Sequence, residues 1–327
     1  KQTKVFAAHQ SQMQETTILD MNDLERERGV TILAKNTVVM WGEYKINILD
    51  TPGHADFSGE VERVLNMADG CILLVDAAEG VLSQTRYVLN LALQSGIRPI
   101  VLVNKVDRKD QRADEVIEEI NDLFLEVAVN DEQLHFPVLY GIGRDGVAGK
   151  VVEAQSDHSL RITDSTSLKP LFETIIETVP APTGEIEGGF QMQITSLDYD
   201  NYKGRYVIGR INRGIVKKGQ TLALLRQAGT VGQTRVENLF TFFGLQKQEI
   251  DTASVGDIIA ITGCPDAKIG DTLTDLDHQE GLDDLHIAEP TVQIQFSVSD
   301  SPLVGLDGKL TTSRQILARL QKELETN

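Results

Sequence analysis

Pro99-Ile100-Val101-Leu102-Val103-Asn104-Lys105-Val106-Asp107 decides the fold. An apolar run of strand length gives way to a polar tetrapeptide, the form of a buried parallel strand that ends in a ligand-facing turn. Upstream, Tyr44-Lys45-Ile46-Asn47-Ile48-Leu49 leads in the same way into Asp50-Thr51-Pro52-Gly53-His54, and the apolar run Cys71-Ile72-Leu73-Leu74-Val75 lies between the two. Thr37 to Trp41 and Tyr44 to Leu49 flank Gly42-Glu43, a hairpin signal. Ser83 to Ser95 has helical spacing with Gly96 as its stop, Ala113 to Val127 is amphipathic, and Leu168 to Val179 forms a closing helix. His135 to Tyr140 is a further strand. This alternation predicts an α/β domain over residues 1–183, with a mostly parallel, doubly wound sheet whose continuous apolar strands are covered by helices on both faces.

The two polar segments suit opposite ends of a guanine nucleotide. Asp50 places a carboxylate at a strand's carboxyl end, where it can hold Mg²⁺ through water. Gly53 lets the backbone approach a γ-phosphate, and His54 follows where an attacking water would lie. The bland alternative is an ordinary turn with a surface histidine. The Asp107 carboxylate can accept from guanine N1–H and N2–H₂, a pair that adenine lacks; Asn104 can hold the loop, and the Lys105 stem can lie along the base. Asn104-Lys105-Val106-Asp107 is weak evidence alone, but it lies 54 residues after Asp50, with one βα unit between. A third element is Glu25-Arg26-Glu27-Arg28-Gly29-Val30-Thr31-Ile32, where the Thr31 hydroxyl can reach Mg²⁺ from a switching loop. Its plain alternative is a solvated helix end. No phosphate-cradling G-x-x-x-x-G-K-[ST] run occurs in the sequence.

Pro180-Ala181-Pro182-Thr183-Gly184 reads as a stiff linker, after which the pattern changes. Short alternating strands with Gly turns predict a small antiparallel β-barrel over residues 186–277. Thr291 to Val298 and Thr312 to Leu324 predict a strand and a helix, the start of an α+β ferredoxin-like domain over 286–327. The chain carries 31 Lys plus Arg against 49 Asp plus Glu, and 17 against 29 in residues 1–183, so no region has the clustered cations of a general DNA or RNA binder. Two distant cysteines, Cys71 and Cys264, make no metal or disulfide pattern, and Cys71 reads as a buried small hydrophobe. No run approaches the length of a membrane span, so a cytoplasmic protein is expected. The first residue, Lys1, and the charged helical pattern at the end suggest an excerpt of a longer polypeptide.

Together these segments resemble the translational GTPases. Met21 to Ile32 is similar to their first switch, Asp50 to His54 to their second, and Asn104 to Asp107 to their base-reading motif. Gly209-Arg210-Ile211-Asn212-Arg213-Gly214 with Lys218-Gly219-Gln220 resembles their barrel domain, and Ser301 to Arg314 resembles the third-domain opening of the BipA/TypA family, ribosome-associated GTPases of bacterial stress responses. The resemblance implies a GTP hydrolase with Mg²⁺, cycling between GTP and GDP states to control ribosome binding or assembly. It implies Thr31 and Asp50 as metal-side residues, Gly53 as the γ-phosphate amide, His54 as the residue positioning water, and Asn104, Lys105 and Asp107 as guanine readers. The family's usual Ser-Ala pair is replaced by Gly141-Ile142-Gly143, with the Gly143 N–H left to contact guanine. The family's phosphate loop and first strand, which would lie between the strands ending at Asp50 and Asp76, are not matched, so impaired nucleotide binding is expected of these 327 residues. The alternatives are a non-hydrolysing ribosome-binding module and a related elongation-type factor.

Overall fold

The computed structural model describes Glu25, Glu27 and residues 31–52, 58–200, 202–226, 229–244, 246–283, 285, 293–306, 308 and 310–324. The chain divides into two compact units, 1–182 with 243–245, and 183–242 with 246–327.

The first unit opens with a hairpin of β1 (Lys35–Trp41) and β2 (Tyr44–Asp50). Its two-residue turn closes between Trp41 and Tyr44, with Gly42 at φ 61°, the left-handed backbone such a turn demands. After α1 (Ser58–Leu65) come β3 (Gly70–Asp76), α2 (Ser83–Gln94), β4 (Arg98–Asn104) and α3 (Ala113–Val127). Then follow β5 (Val138–Ile142), β6 (Val147–Gly149), the small hairpin β7 (Val152–Ala154) with β8 (Leu160–Ile162), and α4 (Lys169–Thr178).

The central sheet has the order β3-β4-β5-β6, parallel through β5 and antiparallel at β6. Residues Ala113, Val116, Ile120, Leu123 and Phe124 form the buried stripe of α3, the spacing of a helix with one face on a sheet. They pack with Leu73, Val75, Val101 and Val103. The other face of β4, through Ile100 and Leu102, packs with Leu139, Ala148 and the α4 residues Leu171 and Ile175.

The expectation of helix cover on both faces is met by β4 and not by β3. Leu73 and Val75 are buried, whereas Ile72 and Leu74 on the opposite face are 42% and 58% exposed. The strand is also an edge: among the described residues β3 pairs only with β4 and β2 only with β1, so no ladder joins the two strands. Cys71 packs beside Val61, Leu65 and Ala92, and burial pushes its thiol up to about 12, in keeping with an inert small hydrophobe. Trp41 and Tyr44 face each other in register across the turn, and Trp41 stacks on Phe172 of α4 with ring centroids 4.6 Å apart. The short β7–β8 hairpin has no counterpart in the sequence reading.

The second unit is antiparallel. Its strands are β9 (Gln191–Gln193), β10 (Ser196–Asp200), β11 (Gly204–Arg213), β12 (Ile215–Lys217), β13 (Thr221–Arg226) and β14 (Gly229–Arg235). They continue with β15 (Asn238–Phe243), β16 (Gln246–Ile250), β17 (Thr252–Ser254), β18 (Ile258–Thr262) and β19 (Thr272–Thr274). The strand path runs β14-β13-β19-β9-β11-β18-β15-β16, with β10 beside β11 and β12–β17 as a separate ribbon. The path curls around one core that includes Phe190, Ile194, Val207, Leu222, Leu239 and Ile261, and the described ladders leave it open rather than closed. Arg226 makes a two-pronged pair with the buried Asp271, at 2.8 and 2.7 Å. Residues 293–298 carry no strand, which needs a partner ladder, while the predicted helix is present as α5 (Ser313–Glu323). Among the described residues no helix is long and apolar enough to cross a membrane.

Candidate functional site

Parallel strands deliver their carboxyl ends to one edge of the sheet, which is where an α/β fold binds ligands. Asp76 at the end of β3 lies beside Asn104 at the end of β4, and Asn104 beside Gly141 of β5. A cleft of about 200 Å³ opens there, lined by Asp76, Asn104 and Lys105 among others.

Asn104, Lys105, Asp107 and Gly143 are brought together. The Gly143 N–H donates to Asn104 Oδ1 at 2.9 Å, tying the Asn104–Asp107 loop to the turn after β5. Lys105 holds a left-handed backbone, φ 61°, a strained state for a side chain with a Cβ. Its ammonium is 2.7 Å from Asp76 Oδ2, with Arg108 3.5 Å from the same oxygen. Val106 is fully buried, so the chain turns there and returns Asp107 to the surface. The Val106 carbonyl accepts from the Leu160 N–H at 2.8 Å, and Gln111 Nε2 donates to the His158 carbonyl at 2.8 Å. The β7–β8 hairpin thus braces the loop that carries Asp107. Asp107 itself accepts from Arg144 Nη2 at 3.3 Å.

Asp76, which the sequence analysis did not single out, lines the same cleft as Asn104 and Lys105. Its carboxylate accepts from the Ala78 and Glu79 amides at 2.8 and 3.3 Å as well as facing Lys105. Burial opposes its ionisation, but Lys105 and the two amides outweigh burial and hold its carboxyl below the ordinary carboxylate range. The signal was available: Asp76 ends an apolar run just as Asp50 and Asn104 do.

On the metal side the structure brings less together. Asp50 ends β2 and Thr31 lies in the segment leading into β1; both are described, but no described ladder joins them to the base-reading loop. Gly53 and His54 lie outside the described residues. Within the charged run before Thr31, Glu25 is not solvated. Glu25 is fully buried, accepts from the Ile32 and Leu33 amides at 2.9 and 3.2 Å, and pairs with Lys35 at 2.5 Å. A carboxylate and a hydroxyl are hard oxygen donors, the type Mg²⁺ takes, and Mg²⁺ keeps several waters, so few protein ligands suffice. Among the described residues no three His, Cys, Asp or Glu side chains converge as a metal cage.

Comparison with known proteins bears on the family and the fold. Residues 1–181 match the Elongation factor Tu GTP binding domain family, and residues 204–274 match Elongation factor Tu domain 2. The chain is 49% identical over 310 residues to the large ribosomal subunit assembly factor BipA of Synechocystis sp., covering 95% of this chain and 50% of that protein. To the Bacillus subtilis protein of the same name it is 47% identical over 309 residues, covering 94% and 49%. The chain therefore spans about half the length of the curated relatives it matches. Among solved structures, translation elongation factor SelB from Methanococcus maripaludis, in complex with the GTP analogue GppNHp, aligns with a TM-score of 0.57 at 21% identity, over 76% of this chain and 50% of that one. That likeness speaks for the fold alone.

Proposed function

This chain belongs to the BipA/TypA family of translational GTPases, and we propose that its first unit supplies the guanine-reading and switch residues of a GTP hydrolase that acts on the ribosome. The observation that carries the reading is the meeting of Asn104, Gly143 and Asp107 at the carboxyl ends of parallel strands, with Gly143 N–H on Asn104 Oδ1 at 2.9 Å. In this reading Asp107 accepts from guanine N1–H and N2–H₂, Asn104 fixes the loop, and Lys105 lies along the base, as the resemblance implies. Gly143 contacts the base through its N–H, which must be shared with or released from Asn104.

Asp50 and Thr31 would hold Mg²⁺, which supplies charge neutralisation at the phosphates when bound. His54 positions the attacking water beside Gly53, because hydrolysis of a phosphoanhydride depends mainly on placement and charge stabilisation. The 327 residues contain no G-x-x-x-x-G-K-[ST] run, so the cradle for the β- and γ-phosphates is not among the residues proposed. The names of the relatives support the ribosome, and large-subunit assembly in particular, as the setting. We divide the chain into a GTPase domain at 1–183, a barrel domain at 186–277 and the opening of an α+β domain at 286–327. Support for the last comes from Ile294, Phe296 and Leu317, 69%, 61% and 56% exposed, apolar groups awaiting cover.

The test is base selectivity. Asp107→Asn should weaken GDP binding by about a hundredfold or more while leaving ADP binding unchanged, because an amide cannot accept from both guanine donors. Equal loss for both nucleotides, or none for either, would remove Asp107 from base recognition. Ribosome-stimulated GTP turnover of a longer polypeptide that includes a phosphate loop, lost in His54→Ala with nucleotide binding retained, tests the hydrolytic half.

A further inference from the structure

The three base-side groups are each engaged inside the chain: Asn104 by the Gly143 N–H, Lys105 by Asp76, and Asp107 by Arg144. The first two contacts hold the site's walls. The third is different, because the carboxylate that Arg144 engages is the one that would accept the paired donors of guanine. An Nη2 at 3.3 Å from Asp107 Oδ2 engages one of the two oxygens those donors would use.

The backbone places Arg144 there. It follows Gly143 in a tight turn between β5 and β6, in which the Asp145 and Gly146 amides both donate to the Ile142 carbonyl at 3.0 Å and Gly146 sits at φ 68°. A Cβ on Gly143 would stand only 3.3 Å from both Asn104 Nδ2 and Oδ1, so glycine allows the turn to lie close on Asn104 and brings Arg144 over the loop. Asp145 Oδ1 accepts from Arg144 Nε at 3.1 Å, which keeps the guanidinium near the site when it leaves Asp107. The Arg144 side chain is 79% exposed, so it contributes little to packing and can swing without cost to the core.

We propose that Arg144 is an internal competitor for guanine: its guanidinium satisfies the Asp107 carboxylate in the empty site, is displaced when a base brings two donors, and returns as the base leaves. The proposal rests on the base-reading role given above to Asp107. It has a consequence for exchange. A departing base leaves the Asp107 carboxylate, 31% exposed, to water or to Arg144, and the arginine, held close by Asp145, takes up the lost bonds. Release of a guanine nucleotide is thereby assisted from within the chain.

Titration of the 327-residue chain with GDP and with ADP, followed at the Gly143 and Asn104 backbone amides by NMR, tests this. Arg144→Ala should tighten GDP by about two- to five-fold, the scale of a partly exposed ion pair. The gain should shrink as salt is raised to about 0.5 M, within the range where exposed pairs are screened, and should vanish in an Asp107→Asn background. ADP should be indifferent to Arg144. Unchanged or weaker GDP binding in Arg144→Ala overturns the proposal while leaving the base site standing. Because these residues hold no phosphate cradle, the titration is carried to millimolar GDP; if even there GDP moves neither amide in the parent chain, the base-site reading falls and this inference with it.

Discussion

The base-reading end and the metal end of the candidate site are built differently. Asn104 and Asp107 leave β4, a strand paired on both sides, with Ile100, Val101 and Val103 fully buried. Their loop is anchored by the buried Val106 and held from outside by the Leu160 N–H. Asp50 leaves β2, half of a two-stranded ribbon whose one further pairing among the described residues is the isolated antiparallel bridge of Val38 to Gly244. Such a ribbon is marginal alone and depends on what it leans against. Here that is the Trp41–Phe172 stack, with Glu25 holding the segment that leads into β1. The contrast fits the chemistry proposed for each end. Discriminating a base requires acceptors fixed before the ligand arrives, whereas sensing a γ-phosphate requires a segment whose stability is low enough to change state.

The largest expected effect comes from removing the ribbon's anchor. Phe172 is 6% exposed, and Phe172→Ala should cost about 3–4 kcal/mol of stability in urea unfolding. Trp41 is the chain's single tryptophan, so its emission reports on the ribbon directly and should shift to the red. The Gly143 and Asn104 amide signals should stay in place. If they move as far as those of β1, the two ends are one cooperative body and the contrast is lost.

Glu25→Gln comes next. Its carboxylate is fully buried against two amides and the Lys35 ammonium, and neutralising it should cost about 2 kcal/mol. Amide exchange at Ile32 and Leu33 should speed up, with exchange at Val103 unchanged. Uniform acceleration would show that Glu25 supports the whole unit rather than the metal end.

Acid should act on the base end through Asp76. Its folded carboxyl lies below the ordinary value, so the stability it contributes is present above the unfolded carboxylate pKa of about 3.9 and is lost as pH falls through the lower folded value. Between neutral pH and about 5 the contribution should therefore be flat. Asp76→Asn should remove this acid-dependent part of the unfolding curve and loosen Lys105, measured as a lower protection of the Val106 and Asp107 amides. An acid limb identical in Asp76→Asn and the parent would show that Asp76 is not what holds Lys105.

The sequence exposed the base end far better than the metal end, for physical reasons. A buried strand advertises itself as an unbroken apolar run, and the polar residues that end it then stand out, as Asn104 and Asp107 do. The helix Ala113–Val127 was bounded correctly because its apolar spacing and the acidic first turn of Asp114 and Glu115 agree. What could not be read were features set by tertiary neighbours. The exposure of Ile72 and Leu74 depends on which strand and helix lie beside β3, and nothing in the run Cys71 to Val75 encodes that. Strands of three residues, such as β7 and β8, have too few positions to show a period. The role of Glu25 was hidden because a buried glutamate inside a charged run looks like its solvated neighbours until its partners are known.

The smallest effect is the most direct gauge of how stiff the base end is. Gly143 does not hold a left-handed backbone, so alanine can adopt its conformation, and loss of glycine's freedom in the unfolded chain should favour the variant by about 0.4–1 kcal/mol. Against this, the new Cβ would meet the Asn104 carboxamide at 3.3 Å, tighter than ordinary contact, while the Gly143 N–H still donates to Asn104 Oδ1. The carboxamide must retreat by a few tenths of an ångström. If the loop can give, the two terms offset and Gly143→Ala should change stability by less than about 0.5 kcal/mol, with only the Asn104 side-chain amide signals shifting. If instead stability falls by more than about 1 kcal/mol, the loop cannot yield even that far. The base end would then be more rigid than its exposed position suggests, and the contrast with the ribbon correspondingly sharper.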